Sequence, residues 1–264
     1  MKKLPRLSFV YVILTALFGV VVALFRVKSG ASARLLIVAV AAALILAAAA
    51  AGVERFFKKH DVPQAEPNRL TFALIACAGF LFLATAFLFF LKGGGSSLLR
   101  AVSAVFAAVT GAAALMRLSE RDKTERAAGY SLLPIFLVGF YLLLLYRGNG
   151  DNPYLLNFGC EISVFLLVLI SLYSSVAGWF LKPRPAARRT VMSWGLAACV
   201  QEWMYFLLRH DNVLAIRNFS VGTMILLLAC AFLLAAALLA PPHILPKPAP
   251  EEQAEDDAAE TAEE

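Results

Sequence analysis

Histidine is scarce in this chain: three residues, His60, His210 and His243, in 264. None falls in the middle of an apolar run, which argues against an intramembrane metal site built on imidazole and against a nucleophile–histidine protease. Charge is also thin, at 16% of residues against roughly 25% in ordinary soluble domains. The four cysteines, Cys77, Cys160, Cys199 and Cys230, show no CxxC spacing. They lie in or at the edge of apolar runs and read as small packing residues. Gly93–Ser97 is glycine-rich but lacks the Gly-Lys-Ser/Thr that would make it a phosphate loop, so it reads as a flexible turn. Ser171, Ser174 and Ser175 have no histidine or lysine at their depth, so a serine nucleophile is not expected. No polar stretch exceeds about 20 residues, which leaves no room for a self-contained signalling domain.

What the chain does have is apolar sequence. It is 61% hydrophobic, with a mean hydropathy of +0.76. A water-soluble fold cannot hide that much apolar surface, so lipid is the solvent this composition fits. In lipid every backbone N–H and C=O must be paired internally, which permits helices or a closed barrel. The runs are continuous over roughly 20 residues, the length a helix needs to cross a core about 30 Å thick, and do not alternate as barrel strands do. The expected fold is all-α, a polytopic transmembrane bundle of about eight spans near 7–25, 34–52, 70–91, 98–118, 130–146, 155–181, 191–208 and 219–240. The first run begins with Lys2, Lys3 and Arg6, as a signal peptide would. Its apolar stretch is too long for one, so it reads as a retained helix.

Residues 1–245 form the expected helical domain. Residues 246–264, with eight acids, read as a disordered acidic cytoplasmic tail. Lys and Arg in alternate loops divide 16 to 8 when the N-terminus is inside, which places both termini in the cytoplasm of a cell with a plasma membrane of this topology. The basic segment around Lys182, Arg184, Arg188 and Arg189 falls on that side, where it can touch anionic headgroups. Odd-numbered spans end on Arg26, Lys92, Arg147 and Arg209, each followed by a short loop. Four tandem helical hairpins would produce this, and so would lysines and arginines reaching for the interface at any helix end. The second and fourth spans are alanine-rich and are expected in tight helix contacts. The last four hold most of the polar side chains.

Ionisable groups inside a membrane are costly and mark candidate sites. Glu202 lies within the seventh span, on a face shared with Gly195, Ala198, Cys199, Tyr205 and Arg209. Glu161 lies early in the sixth, on a small and polar stripe with Asn157, Val164, Val168, Ser171, Ser175 and Gly178. Arg147, Asp151 and Arg209 stand at the same level and could pair with them. Two readings stand side by side: ion pairs that fix helix register, and a polar pocket open to the outside that binds or passes a small molecule.

The segment SLLPIFLVGFYLLLLYRGNGDNPYLLNFGCEISVFLL has an aromatic-rich helix ending in Tyr146-Arg147, a loop with Asp151, Asn152 and Pro153, and a helix with an early Glu161. Over these roughly 40 residues it resembles an uncharacterised family of multispan membrane proteins of Gram-positive anaerobes. The resemblance implies a bacterial plasma membrane and brings no activity. The functional expectation is small-molecule binding or transport through an outward-facing polar pocket in the last four helices. The alternative is an accessory, structural or sensor subunit that docks to another membrane subunit. A lipid-modifying enzyme is a third class, disfavoured by the lack of paired mid-membrane acids or histidines. No cofactor or metal is expected, and the partners are the lipid bilayer and a ligand or subunit, not nucleic acid.

Overall fold

The computed structural model describes residues 4–29, 33–59, 69–91, 97–119, 124–148, 156–180, 185–208 and 221–240. Among these residues the chain is entirely helical, with eight helices: α1 (Leu4–Ser29), α2 (Ala33–Lys59), α3 (Arg69–Leu91), α4 (Ser97–Ser119), α5 (Thr124–Gly148), α6 (Leu156–Phe180), α7 (Pro185–Leu208) and α8 (Val221–Leu239). Seven of them are long and apolar enough to cross a membrane; α7, with its arginines and Glu202, falls short on composition. This is a helix bundle of the multi-pass membrane type. The acidic tail at 246–264 lies outside the described residues.

Helices α1, α2, α5 and α7 run well past the apolar spans read from the sequence, and the last three extensions have a local cause. α2 continues through Glu54, which pairs with Arg189 of α7. α5 starts earlier because Ala127 and Ala128 are buried against Val176 of α6. α7 starts at Pro185, a residue suited to the first helical position because it has no N–H to leave unpaired.

The bundle is organised around α7 and α8. α7 packs on α1, α2, α6 and α8, and α8 packs on α3, α7, α1 and α6. Two thirds of the α8 span is buried by neighbouring helices (67%), against one sixth of α2 (17%). α2 therefore lies at the periphery with Leu36, Ile37 and Leu44 turned outward. Its alanine-rich run does not make it a tightly enclosed helix; only one edge, with Ala42 and Ala50, is buried. The alanine-rich α4 does pack closely. Gly79 of α3 and Gly111 of α4 face each other so tightly that a Cβ on Gly111 would sit 2.8 Å from the Gly79 carbonyl oxygen. In lipid such close approach, not hydrophobicity, is what binds helix to helix.

Helix directions follow from paired contacts. Tyr11 donates from its hydroxyl to the Leu46 carbonyl at 3.2 Å while Val22 clusters with Leu35 and Ala42, so α1 and α2 are antiparallel. Trp194 donates from Nε1 to the Ala43 carbonyl at 3.0 Å, while Glu54 meets Arg189, so α2 and α7 are antiparallel too. Gly19 lies against Ala197 and Val200, and Arg26 meets Glu202, so α1 and α7 rise in parallel. The α6–α7 crossing is close as well. The Ser171 hydroxyl lies 2.6 Å from the Leu167 carbonyl oxygen and 2.7 Å from the Val191 carbonyl oxygen, with one proton to give to either, and Gly195 supplies the space it fills.

Candidate functional site

One face of α1 carries Ser8, Tyr11, Thr15, Gly19, Val22 and Arg26 at steps of three and four residues, and all six are buried. That face is shared by α7, which meets Gly19 and Arg26, and α2, which meets Tyr11 and Val22. Its last member, Arg26, is three residues from the end of its helix. An arginine so placed could reach the interface with its long side chain. Instead it turns inward, is 1% exposed, and donates from Nη1 to Oε1 of Glu202. The guanidinium also lies over the Tyr205 ring, 4.0 Å from its centroid. An arginine held at once by a carboxylate and an aromatic face is well compensated for leaving water.

Glu202 is fixed by the α7 face read from the sequence. Gly195, Ala198, Cys199 and Glu202 are all buried, and Tyr205 is half-buried against Arg26. Glu202 sits six residues before the end of α7, roughly 9 Å along the helix axis from Leu208. Its partner comes from the first helix. Arg147 is exposed at the end of α5, and Arg209 and Asp151 lie outside the described residues.

Glu161 completes the cluster from α6. It is 6% exposed and within electrostatic reach of both Glu202 and Arg26. Of its stripe, Val164, Val168 and Ser171 are buried and Ser175 is half-buried; Asn157 lies in the first turn of the same helix. The Oε2 atom of Glu161 has no hydrogen-bond partner, and neither has Nε of Arg26 or Nε1 of Trp203. Among the described residues the cluster sets two carboxyl groups against one guanidinium. An unpaired polar atom in such surroundings costs several kcal/mol.

One turn below Glu161, Phe165 packs against Tyr141 of α5 with ring centroids 5.0 Å apart, and Tyr141 stacks on Phe89 of α3 at 5.7 Å. The Tyr141 hydroxyl shares a hydrogen bond with Thr223 of α8. This aromatic layer closes the bundle beneath the charged cluster. At the opposite end a cavity of about 40 Å³ opens between α3, α4, α5, α6 and α8, lined by Thr71, Arg117, Tyr130, Ser131, Pro134 and Ser175 among others. Pro134, which also lines it, has no N–H to donate to the Tyr130 carbonyl four residues back.

The cysteines divide by environment: Cys199 and Cys230 are buried, Cys160 is half-buried beside the cluster, and Cys77 is exposed on the outer face of α3. Among the described residues no group of three or more His, Cys, Asp or Glu could hold a metal ion. Sequence reasoning found Glu161, Glu202 and Tyr205 and missed Arg26, Glu54 and the burial of Arg188 and Arg189. The signal for Arg26 was available as the helical spacing of Ser8, Tyr11, Thr15, Gly19 and Arg26. Set against family models, curated proteins and solved structures, the chain matches none.

Proposed function

We propose that this chain binds, and carries across the membrane, a small molecule that presents a positive charge, and that the Arg26–Glu202–Glu161 cluster is its site. The observation behind this reading is the Oε2 atom of Glu161, buried and without a partner beside an acid that already has one. The missing partner is a cation: an alkali ion or a protonated amine of the substrate. Arg26 keeps Glu202 occupied, so the ligand would answer to Glu161. The aromatic layer of Phe165, Tyr141 and Phe89 would then be the gate below the site, and the cavity beside Arg117 the vestibule on the other side of it. The 16 to 8 division of Lys and Arg supports a plasma-membrane protein with both termini in the cytoplasm and the cluster toward the outer face.

The test is ligand-dependent stability in lipid nanodiscs. Sodium, potassium, ammonium and short alkylamines are each titrated against the melting temperature of the wild type and of Glu161→Gln. One of them should raise the wild-type melting temperature saturably by several degrees, since a ligand at 100 times its Kd adds about 2.7 kcal/mol. Glu161→Gln should abolish the rise. A wild type indifferent to every cation would refute the reading, as would an unchanged response in the variant.

A second reading has its own observation. Arg26 and Glu202 are each 2% exposed at the side chain, and the outward apolar face of α2 is extensive. An accessory subunit would combine such a closed ion pair with a free helix face for its partner. It would fail to respond to any cation and would co-migrate with another membrane subunit in mild detergent.

A further inference from the structure

A second charged cluster stands at the other end of α7, where Glu54 of α2 comes up beside Arg188 and Arg189. Both arginines are buried, 8% and 6% exposed. Arg189 is fully engaged. Its Nε donates to Oε1 of Glu54 at 2.6 Å and its Nη1 to the Leu238 carbonyl at 3.4 Å. Its guanidinium faces the rings of Phe57 at 5.3 Å and Tyr11 at 6.0 Å. Arg188 is held differently. It is within electrostatic reach of Arg189 and Glu54, yet its guanidinium makes no hydrogen bond to any described residue. Glu54 is already taken by Arg189, so among the described residues two guanidiniums share one carboxylate.

The backbone at the same place makes the same demand. α7 is 24 residues long and begins at Pro185. The N–H groups of Ala186 and Ala187 in its first turn have no acceptor within the helix, and the positive end of the helix dipole lies there. Helical side chains lean toward the N-terminus and cover the turn before their own Cα. A side chain at position 188 therefore extends toward the turn that carries those N–H groups. Backbone donors, the helix dipole and a buried arginine with no hydrogen bond to a described residue belong to the same turn.

We propose that the first turn of α7 together with Arg188 binds a phosphate group, with Arg189 and Glu54 as the fixed platform that orients it. Guanidinium and helix N-terminus are both suited to phosphate oxygens, which accept several charge-assisted hydrogen bonds at once. The spot lies at the end of the bundle where the basic loops are, the level at which a phospholipid headgroup sits. The phosphate comes either from an anionic lipid or from a free phosphate compound. This site is independent of the cation site at the far end of α7, and its occupancy does not require that reading to hold.

Native mass spectrometry of the full chain, delipidated and then mixed with phosphatidylglycerol or phosphatidylcholine, tests the lipid source. Thermal melting with inorganic phosphate against chloride at matched ionic strength tests the free one. The wild type should retain phosphatidylglycerol in preference to phosphatidylcholine. Arg188→Gln should lower that retention about tenfold, the effect of losing a charge-assisted contact. Arg188→Lys should recover part of it, and Arg55→Gln, on the exposed side of α2, should leave it unchanged. Protection by inorganic phosphate without lipid retention would support the site with a free phosphate compound as its occupant. The proposal is overturned if the wild type neither prefers phosphatidylglycerol nor gains stability from phosphate, a comparison that needs no variant. It is equally overturned if Arg188→Gln folds and binds as the wild type does.

Discussion

Arg26 and Glu202 are 176 residues apart in the chain and joined in the bundle by a buried ion pair. The pair ties the first helix to the seventh, beside the α6 helix that brings Glu161 to the same level. It decides the character of that end of the molecule: the polar groups there are closed over by an arginine from α1, and the acid with an oxygen left without a partner is Glu161 and not Glu202.

Breaking the pair from one side should be costly. Arg26→Met leaves Glu202 buried against apolar neighbours and should destabilise the bundle by about 3–5 kcal/mol. The double change Arg26→Met with Glu202→Leu should recover most of the loss, because no charge is then stranded. Reversible unfolding in mixed micelles measures both. Equal losses in the single and double variants would show that the pair contributes only through packing.

Helix crossings built on glycine should respond to a single methyl. A Cβ on Gly195 would lie 2.3 Å from the Ser171 oxygen, and one on Gly19 would lie 2.6 Å from the Ala197 carbonyl oxygen. Gly195→Ala and Gly19→Ala should each lower stability by about 1–3 kcal/mol. Gly52→Ala meets nothing within 4 Å and should be neutral or slightly stabilising. The contrast between these positions is the measurement, read in the same unfolding assay.

The seventh helix should depend on its neighbours to enter the membrane. Pro185–Leu208 carries Arg188, Arg189, Gln201 and Glu202 and falls short of the apolar composition of the other seven helices. Placed alone in an insertion reporter it should insert poorly, while Val221–Leu239 should insert almost completely. Adding α1 upstream, with Arg26 available to Glu202, should raise the insertion of α7. Removing Arg26 from that longer segment should reverse the gain.

Orientation is open to direct labelling. With both termini in the cytoplasm, a cysteine at Gly93 should react with an impermeant maleimide on intact cells. A cysteine at Arg121 should react only after permeabilisation. The reverse pattern would turn the bundle over and put the Arg26–Glu202–Glu161 cluster on the cytoplasmic side.

Much of this molecule could be read before any coordinates. The helices lie where the apolar runs lie, because a run of roughly 20 apolar residues in lipid has no other way to pair its backbone. The polar face of α7 and the buried Glu161 follow from helical periodicity and the cost of exposing charge to lipid. Local pattern does not extend to partner choice. Arg26 and Arg147 look alike in sequence, each a basic residue at the end of an apolar helix, yet one is 1% exposed and the other faces outward. The difference lies in what stands across from them, and that depends on how α1 and α7 run parallel through the bundle.

Composition and periodicity thus determined the solvent, the class of fold and the helices themselves, since these depend on interactions within about one helix length. Only the tertiary structure decided that α2 is peripheral and α8 central, that Glu54 belongs with Arg189, and that Glu202 takes Arg26 and leaves Glu161 alone. Those outcomes rest on contacts between residues more than a hundred positions apart, where close packing at Gly19 and Gly195 sets which charges can meet.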